Sequence, residues 1–154
     1  FKTFLKLSPP LRLEEDRVGL VEGVKSGLID VIVSDHVPED EEGKRLPFAQ
    51  AATGAIGIET LLPLALEMHH NESLPLTKII ETLTINPAKI LKINKGTLNK
   101  GSDADMCMFD LNMPWVVNGD NLNSKSKNTS IEGRKLQGKV LMTFLNGELV
   151  FNSQ

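Results

Sequence analysis

The sequence of 154 residues predicts an α/β protein in which a parallel sheet with helices is followed by a smaller β-rich region. Residues 1–33 carry the pattern strand, loop, helix, strand, which is one βαβ crossover. Helical patterns rich in Leu and Ala continue to residue 91, and strand patterns replace them after residue 95. These observations divide the chain into an α/β part at 1–94 and a β part at 95–154.

The crossover begins with alternating apolar and polar residues at 1–7, which predict a strand. Pro9 and Pro10 end this strand because proline has no backbone N–H to donate. Residues 13–27 predict a helix, with three acids in its first turn and a glycine at its end. The apolar, β-branched run Ile29–Val33 predicts a second strand that is buried on both faces and parallel to the first.

Polar residues follow both predicted strands. Asp35 and His36 come after the second strand, and Ser8 and Arg12 come after the first. The carboxyl ends of parallel strands lie at the same edge of a sheet, where α/β enzymes place their chemistry. We therefore expect a functional site at this edge. The alternative is that Asp35 only caps a turn and that His36 is an ordinary surface residue.

The remainder of the α/β part predicts loops and helices. Residues 39–44 form a charged stretch typical of a solvated loop. The small, glycine-bearing stretch 51–57 would let backbone approach a ligand closely, or would form an irregular cover without ligand contact. Helices are predicted at 59–68, from near Pro75 to residue 83, and from the N-cap Asn86 to residue 91.

The β part predicts several strands and one hairpin. Strand patterns occur at 96–98, 104–110, 115–117, 138–145 and 148–151. Asn146-Gly147 is a strong signal for a tight hairpin between the last two strands. Residues 118–134 predict a long polar loop. Cys107, inside a predicted strand, is interpreted as a packed small side chain and not as a nucleophile.

Composition excludes several classes of function. Lys and Arg number 17 against 20 Asp and Glu, giving a net charge of −3 and no basic face for nucleic acid. No apolar run is long enough to span a membrane. A single cysteine cannot form an internal disulfide, so a cytoplasmic location is expected. The chain opens without an initiator Met, and we expect it to be part of a longer protein.

The order of motifs resembles the carboxyl-terminal part of the dihydroorotases, in the cyclic amidohydrolase superfamily. The resemblance covers nearly the whole chain. It rests on Ser8-Pro9-Pro10-Leu11-Arg12, Ser34-Asp35-His36-Val37-Pro38, Pro47-Phe48 through Gly54-Ala55-Ile56-Gly57-Ile58-Glu59-Thr60, Thr84-Ile85-Asn86-Pro87-Ala88, Gly101-Ser102-Asp103-Ala104-Asp105 and Ser124-Lys125-Ser126-Lys127-Asn128-Thr129.

This resemblance implies a fold and an activity. Residues 1–94 would be the carboxyl-terminal part of a TIM-type (β/α)₈ metal-dependent hydrolase barrel, and residues 95–154 part of a small β-sandwich domain. The reaction would be the reversible cyclisation of N-carbamoyl-L-aspartate to dihydroorotate in pyrimidine biosynthesis. The partners implied are these substrates, a second copy of the chain in a homodimer, and aspartate carbamoyltransferase.

The resemblance also implies site residues. Asp35 matches a catalytic acid that binds metal and relays a proton, while Ser8, Glu39, Thr53 and Gly54 match substrate-binding positions. The implied cofactor is zinc, two ions per complete site, which lowers the pKa of bound water and polarises a carbonyl. The family's His-x-His pair and bridging lysine are absent from this sequence. Most metal ligands would therefore lie outside it, and these residues alone are expected to be inactive.

Two departures from the family leave alternatives open. Ser8 stands where Asn is frequent, and Glu39 stands where His is frequent. Glu39 would place an anion near an anionic substrate unless it pairs with a cation such as Arg45. One alternative is a non-catalytic dihydroorotase-like subunit that assembles with aspartate carbamoyltransferase. Another is a different cyclic amidohydrolase, an allantoinase or a hydantoinase, although the sequence from Pro9 to Arg12 argues against a hydantoinase.

Overall fold

A computed structural model of the protein describes residues 2–72 and 74–153. The chain alternates between short helices and irregular segments before it enters a small sheet. The helices are α1 (Glu14–Ser26), α2 (Glu41–Arg45), α3 (Leu61–Glu72), α4 (Leu76–Leu83) and α5 (Ile85–Leu91), the strands are β1 (Met106–Val116), β2 (Lys135–Leu145) and β3 (Glu148–Asn152), and 3₁₀ turns occur at Thr3–Leu5 and Gly119–Asn121. None of the described helices is long and apolar enough to cross a lipid bilayer.

The chain divides into two compact units, each built from separated stretches of sequence. The first unit contains Phe1–Gly19, Val33–Leu61 and Val116–Lys135. The second unit contains Leu20–Ile32, Leu62–Trp115 and Leu136–Gln154. Most of the helical core belongs to the second unit, and the polar residues singled out by the sequence belong to the first.

The core of the second unit is formed by apolar side chains of three helices. Val21 and Val24 of α1, Ala65 of α3 and Ile79 of α4 are buried together with Leu74. Val21 and Val24 lie three residues apart on α1, so they share one face of that helix. Partly buried side chains surround this cluster: Ile29, Ile32, Met68 and Leu83.

Truncation of this core should destabilise the protein. Ile79 is fully buried, so Ile79→Ala removes buried methyl groups and leaves a cavity, and we expect the free energy of unfolding to fall by about 2–5 kcal/mol. Urea unfolding measures this loss. Ile90→Ala is the control: its side chain is 65% exposed, and we expect a change below about 0.5 kcal/mol. Equal losses in the two variants would contradict this description of the core.

The sheet has the strand order β1-β2-β3. Strands β2 and β3 are antiparallel, with Leu145 opposite Glu148 and a bulge near Thr143. The turn residues Asn146 and Gly147 have φ values of 50° and 83°, which is the left-handed geometry that a two-residue hairpin turn needs. The predicted Asn-Gly hairpin is therefore confirmed.

Two predicted strands of the α/β part are wrong for the described residues. No strand lies alongside Ile29–Val33, and the backbone N–H of Ile32 donates instead to Thr82 O at 3.2 Å. Val33 is 71% exposed, although burial on both faces was predicted. A β-ladder needs a neighbouring strand to bond with, so the apolar pattern alone does not produce one. In the stretch 1–7, Thr3–Leu5 forms a 3₁₀ turn, and Phe1 lies outside the described residues.

Other local predictions also need correction. Residues 96–98 do not form a strand, and β1 runs without interruption across the two strands predicted at 104–110 and 115–117. The N-cap of α5 is Thr84, and Asn86 lies inside the helix, where its side-chain amide donates to Asp30 O at 2.9 Å. Cys107 is exposed on β1, although partial burial raises the pKa of its thiol and so disfavours the reactive thiolate.

Candidate functional site

Asp35 lies in an irregular segment of the first unit, directly after the apolar run. Its backbone has a φ of 43°, in the left-handed region that Asp and Asn tolerate better than most residues. The side chain is exposed, and within the described residues its carboxylate makes no hydrogen bond or ion pair. The carboxylate is therefore available to a ligand or to a metal ion.

His36 is anchored by the neighbouring loop and is not a free surface residue. Its Nδ1 accepts hydrogen bonds from the backbone N–H of Gly57 at 3.1 Å and of Ile58 at 3.3 Å. Two N–H donors aimed at Nδ1 require that nitrogen to be unprotonated, so the ring proton of the neutral imidazole is on Nε2. His36 therefore holds the segment that carries Asp35 against the loop that contains Gly57.

Two glycines allow this loop to cross the segment that follows the apolar run. A Cβ on Gly54 would lie 2.7 Å from Val37 O, and one on Gly57 would lie 2.8 Å from Ser34 O. Between them, Val37 N donates to Ala55 O at 2.9 Å. The glycines thus permit close approach of two backbones within the protein. That the same loop approaches a ligand stays a prediction.

Lys44 is a buried cation, although the sequence predicted that residues 39–44 form a solvated loop. Asp40 caps α2 by accepting from Gly43 N, and the helix places Lys44 inside the unit with 1% of its surface exposed. Its ammonium donates to Gly54 O at 2.8 Å, to Ala52 O at 3.0 Å and more weakly to Lys6 O at 3.4 Å. Desolvation lowers the pKa of Lys44, while the nearby charge of Glu39 opposes that shift and Lys6 adds to it.

This lowered pKa predicts a pH-dependent stability. Between the folded-state pKa of Lys44 and the ordinary value of 10.5, the unfolded chain binds more protons than the folded chain. The free energy of unfolding therefore rises with pH in that window. We expect the difference in this free energy between wild type and Lys44→Met to rise as the pH is raised through this window toward 10.5, as measured by urea unfolding. A flat or falling difference would contradict the assignment.

Asn128 is a second buried polar residue, for which the sequence analysis predicted no individual role. It is 3% exposed, and its side-chain amide donates to Gly54 O at 3.1 Å. Its Oδ1 accepts from Glu39 N at 3.3 Å and also from the hydroxyl of Ser126. The backbone joins the same arrangement, because Ile56 N donates to Asn128 O at 3.2 Å. One asparagine therefore connects three separate stretches of the chain.

The structure brings some predicted site residues together. Glu39 and Gly54 are joined through Asn128, and Thr53 is exposed beside Gly54. Ser8 is exposed, and in the described part of the chain no hydrogen bond ties its side chain to this loop. Lys6, two residues before Ser8, does contact the loop, because Gly54 N donates to Lys6 O at 3.0 Å.

The charge of Glu39 is balanced differently from the prediction. Arg45 does not pair with Glu39; its guanidinium forms an ion pair with Glu41, one turn earlier in α2. The negative charge of Glu39 lies instead near the buried Lys44 and opposes the lowering of the Lys44 pKa. Glu39 also borders an open cavity of about 690 Å³ in the first unit, together with parts of the segments 38–41 and 125–128. An acidic residue at this position is thus compatible with a folded site.

The described residues do not form a metal site by themselves. They contain no group of three or more His, Cys, Asp or Glu side chains that could hold a metal ion. His36 cannot offer Nδ1, because that nitrogen already accepts two backbone hydrogen bonds. Asp35 can supply one carboxylate ligand, and protein-bound zinc needs at least three protein ligands. This part of the chain therefore fits a contributor to a metal centre and not a complete centre.

Comparison with known proteins defines the class. The profile of the Amidohydrolase family matches residues 7–150, and the chain belongs to this family. The more particular likeness is to proteins named dihydroorotase. The relative from Ehrlichia chaffeensis is 44% identical over 149 residues, and that from Aquifex aeolicus is 44% identical over 146 residues. These matches cover 97% and 95% of this chain but only 33% and 34% of the relatives, in their carboxyl-terminal part.

Solved structures confirm the predicted fold class. An L-hydantoinase (dihydropyrimidinase) from Arthrobacter aurescens superimposes with a TM-score of 0.90 at 33% identity, over 97% of this chain and 35% of that chain. A D-hydantoinase (dihydropyrimidinase) from Thermus sp. gives a TM-score of 0.86 at 25% identity, over 97% and 34%. The chain therefore has the α/β architecture of the corresponding third of these TIM-barrel amidohydrolases.

Proposed function

We propose that this chain is the carboxyl-terminal part of a dihydroorotase, which interconverts N-carbamoyl-L-aspartate and dihydroorotate. The observation that carries the proposal is the identity of 41–44% to proteins of that name over nearly the whole chain. Identity to the hydantoinases whose fold it shares is lower, at 24–33%. The site supports the same proposal, because an available carboxylate stands at the position that the resemblance assigns to the catalytic acid.

Asp35 is the catalytic residue of this proposal. Ring closure removes a proton from the carbamoyl nitrogen and ring opening returns it, so the reaction needs a group that holds the proton at that atom. The unpaired, exposed carboxylate of Asp35 can accept that proton and release it again. Substrate binding is assigned to Ser8, Glu39, Thr53 and Gly54, where the backbone groups of the loop offer hydrogen bonds to a planar ring.

Zinc is proposed as the cofactor, with two ions in a complete site and Asp35 as the ligand that this chain provides. When bound, zinc lowers the pKa of a water molecule and polarises a carbonyl. The other ligands are assigned to the two thirds of the relatives that this chain does not span. A homodimer, association with aspartate carbamoyltransferase and a cytoplasmic location belong to the same proposal.

The domain division is also a proposal. Residues 1–94 would complete a (β/α)₈ barrel, and residues 95–154 would form part of a small β domain. Many large apolar side chains are exposed in this chain, among them Leu13, Leu28, Val33 and Ile58. Exposed apolar side chains in such number are typical of a surface that further protein covers. We assign that contact to the barrel segments present in the longer relatives.

A direct assay tests the proposed reaction. The full-length protein that contains this chain should convert dihydroorotate to N-carbamoyl-L-aspartate, and a chelator should abolish the conversion until zinc is restored. Hydantoin, dihydrouracil and allantoin serve as control substrates and should react at least about a hundredfold more slowly in kcat/KM. Preference for one of these control substrates would identify a different cyclic amidohydrolase. Absence of all turnover by the zinc-loaded protein would identify a non-catalytic subunit.

A further inference from the structure

The carbonyl oxygen of Gly54 is held by two side chains that the proposed chemistry does not use. Lys44 Nζ lies 2.8 Å away and Asn128 Nδ2 lies 3.1 Å away. The donors come from distant parts of the sequence, one from α2 and one from the stretch before β2. Lys44 also bonds Ala52 O at 3.0 Å. The two side chains thus fix the course of the backbone from Ala52 to Gly54.

Stabilising a loop with a buried ammonium carries a large unfavourable desolvation free energy. Lys44 is almost fully buried, and its ammonium donates hydrogen bonds to carbonyl oxygens. These hydrogen bonds offset only part of the free energy that is lost when a charge is removed from water. An apolar side chain of similar length would fill the same space at lower cost. A directional role for the ammonium accounts for its presence, because it orients several carbonyls at once and an apolar side chain orients none.

Asn128 extends the arrangement to a second proposed substrate position. Its Nδ2 donates to Gly54 O while its Oδ1 accepts from the backbone N–H of Glu39 at 3.3 Å. The side-chain amide is planar, so these two bonds set the backbone of Glu39 and the backbone of Gly54 in a fixed relation. Displacing Asn128 therefore disturbs both positions together.

We propose that Lys44 and Asn128 are positioning residues for substrate binding, which hold the Ala52–Gly54 loop and Glu39 in the geometry that receives the ring. This inference rests on the proposed function, because the loop is a substrate loop only if the protein is a cyclic amidohydrolase. Neither residue is expected to touch the substrate. Their contribution should appear in the affinity for substrate more than in the rate of the bound complex.

The test uses the full-length enzyme with Lys44→Met and Asn128→Ala. For each variant we expect KM for dihydroorotate to rise about tenfold or more while kcat changes by less than about threefold. Lys44→Arg keeps a charged donor and should recover part of the loss in KM. Hydrogen exchange gives a readout independent of activity: the amides of residues 52–57 should exchange faster in both variants, and those of α4 should not change.

Two control variants separate positioning from a general loss of polar bonds. Lys95→Met removes an exposed lysine that bonds Asp103 and Asp105, and Asn118→Ala removes an exposed asparagine that bonds Asp120 N. Both should keep wild-type KM. Unchanged KM and unchanged exchange in Asn128→Ala would overturn the proposal, even if Lys44→Met does not fold. If the wild-type enzyme does not convert dihydroorotate, the proposed function is wrong. Hydrogen exchange then still shows whether Lys44 and Asn128 hold the loop.

Discussion

Replacing Asp35 by Asn in the full-length enzyme is expected to lower kcat for dihydroorotate by about 10³-fold or more, with little change in stability. The amide has the shape of the carboxylic acid but cannot accept the proton, and it is a poor metal ligand. Stability should hold because the carboxylate makes no hydrogen bond or ion pair in the described part of the chain. Asn also tolerates the φ of 43° at this position as well as Asp does. Steady-state kinetics and thermal unfolding of the same preparation measure both quantities.

Asp30→Asn is the matched control for this prediction. Asp30 is an exposed carboxylate five positions earlier in the sequence, and its backbone carbonyl, not its side chain, accepts the bond from Asn86. We expect wild-type kcat and KM. Near-normal kcat in Asp35→Asn would refute the assigned role, and an equal loss in both variants would show that the effect is not specific to Asp35.

The second large effect is expected from Gly54→Ala. A Cβ at this position would lie 2.7 Å from Val37 O, and the φ of 146° belongs to a region that residues with a side chain rarely adopt. Strain and overpacking together should lower the free energy of unfolding by about 2–5 kcal/mol. Because the loop must move away from Val37, KM for dihydroorotate should rise at least about tenfold as well. Urea unfolding and kinetics of the full-length enzyme measure the two effects.

Gly133→Ala separates backbone strain from steric contact. Gly133 is also in the first unit and has a φ of 75°, but a Cβ there would meet nothing within 4 Å. This variant should lose only about 1 kcal/mol of stability and keep its KM. A Gly54→Ala enzyme that behaves like Gly133→Ala would mean that the loop does not need its close approach to Val37.

The sequence predicted best those elements that local chemistry determines. The helix α1 ends before Gly27, whose φ of 81° is the left-handed geometry of a C-terminal glycine, and the Asn146-Gly147 turn adopts the predicted geometry. Ile29–Val33 was predicted wrongly because a strand depends on hydrogen bonds to a neighbour, and an apolar run cannot show whether that neighbour is present. Local patterns therefore predicted the end of α1 and the hairpin turn, whereas a strand at Ile29–Val33 depends on a partner that is distant in sequence.

The difference between local patterns and contacts between distant segments also explains which residues of the candidate site could be predicted. Asp35 and Gly54 were predicted as site residues because motifs in the sequence carry them, and their roles stay predictions. Lys44 was missed because a charged stretch usually lies in solvent, and its burial depends on acceptors that other segments supply. One signal was present: Asp40, followed by two acids and then two cations, is the pattern of a short capped helix. Nothing in the residues around Asn128 indicates that its amide would join Glu39 to Gly54.

If the carboxylate of Asp35 belongs to a metal-containing active site, it should bind zinc in the full-length protein. Anomalous diffraction at the zinc edge from crystals of that protein tests this. We expect an anomalous peak about 2.0–2.2 Å from a carboxylate oxygen of Asp35. A structure with zinc bound elsewhere and the Asp35 carboxylate turned to bulk solvent would contradict it.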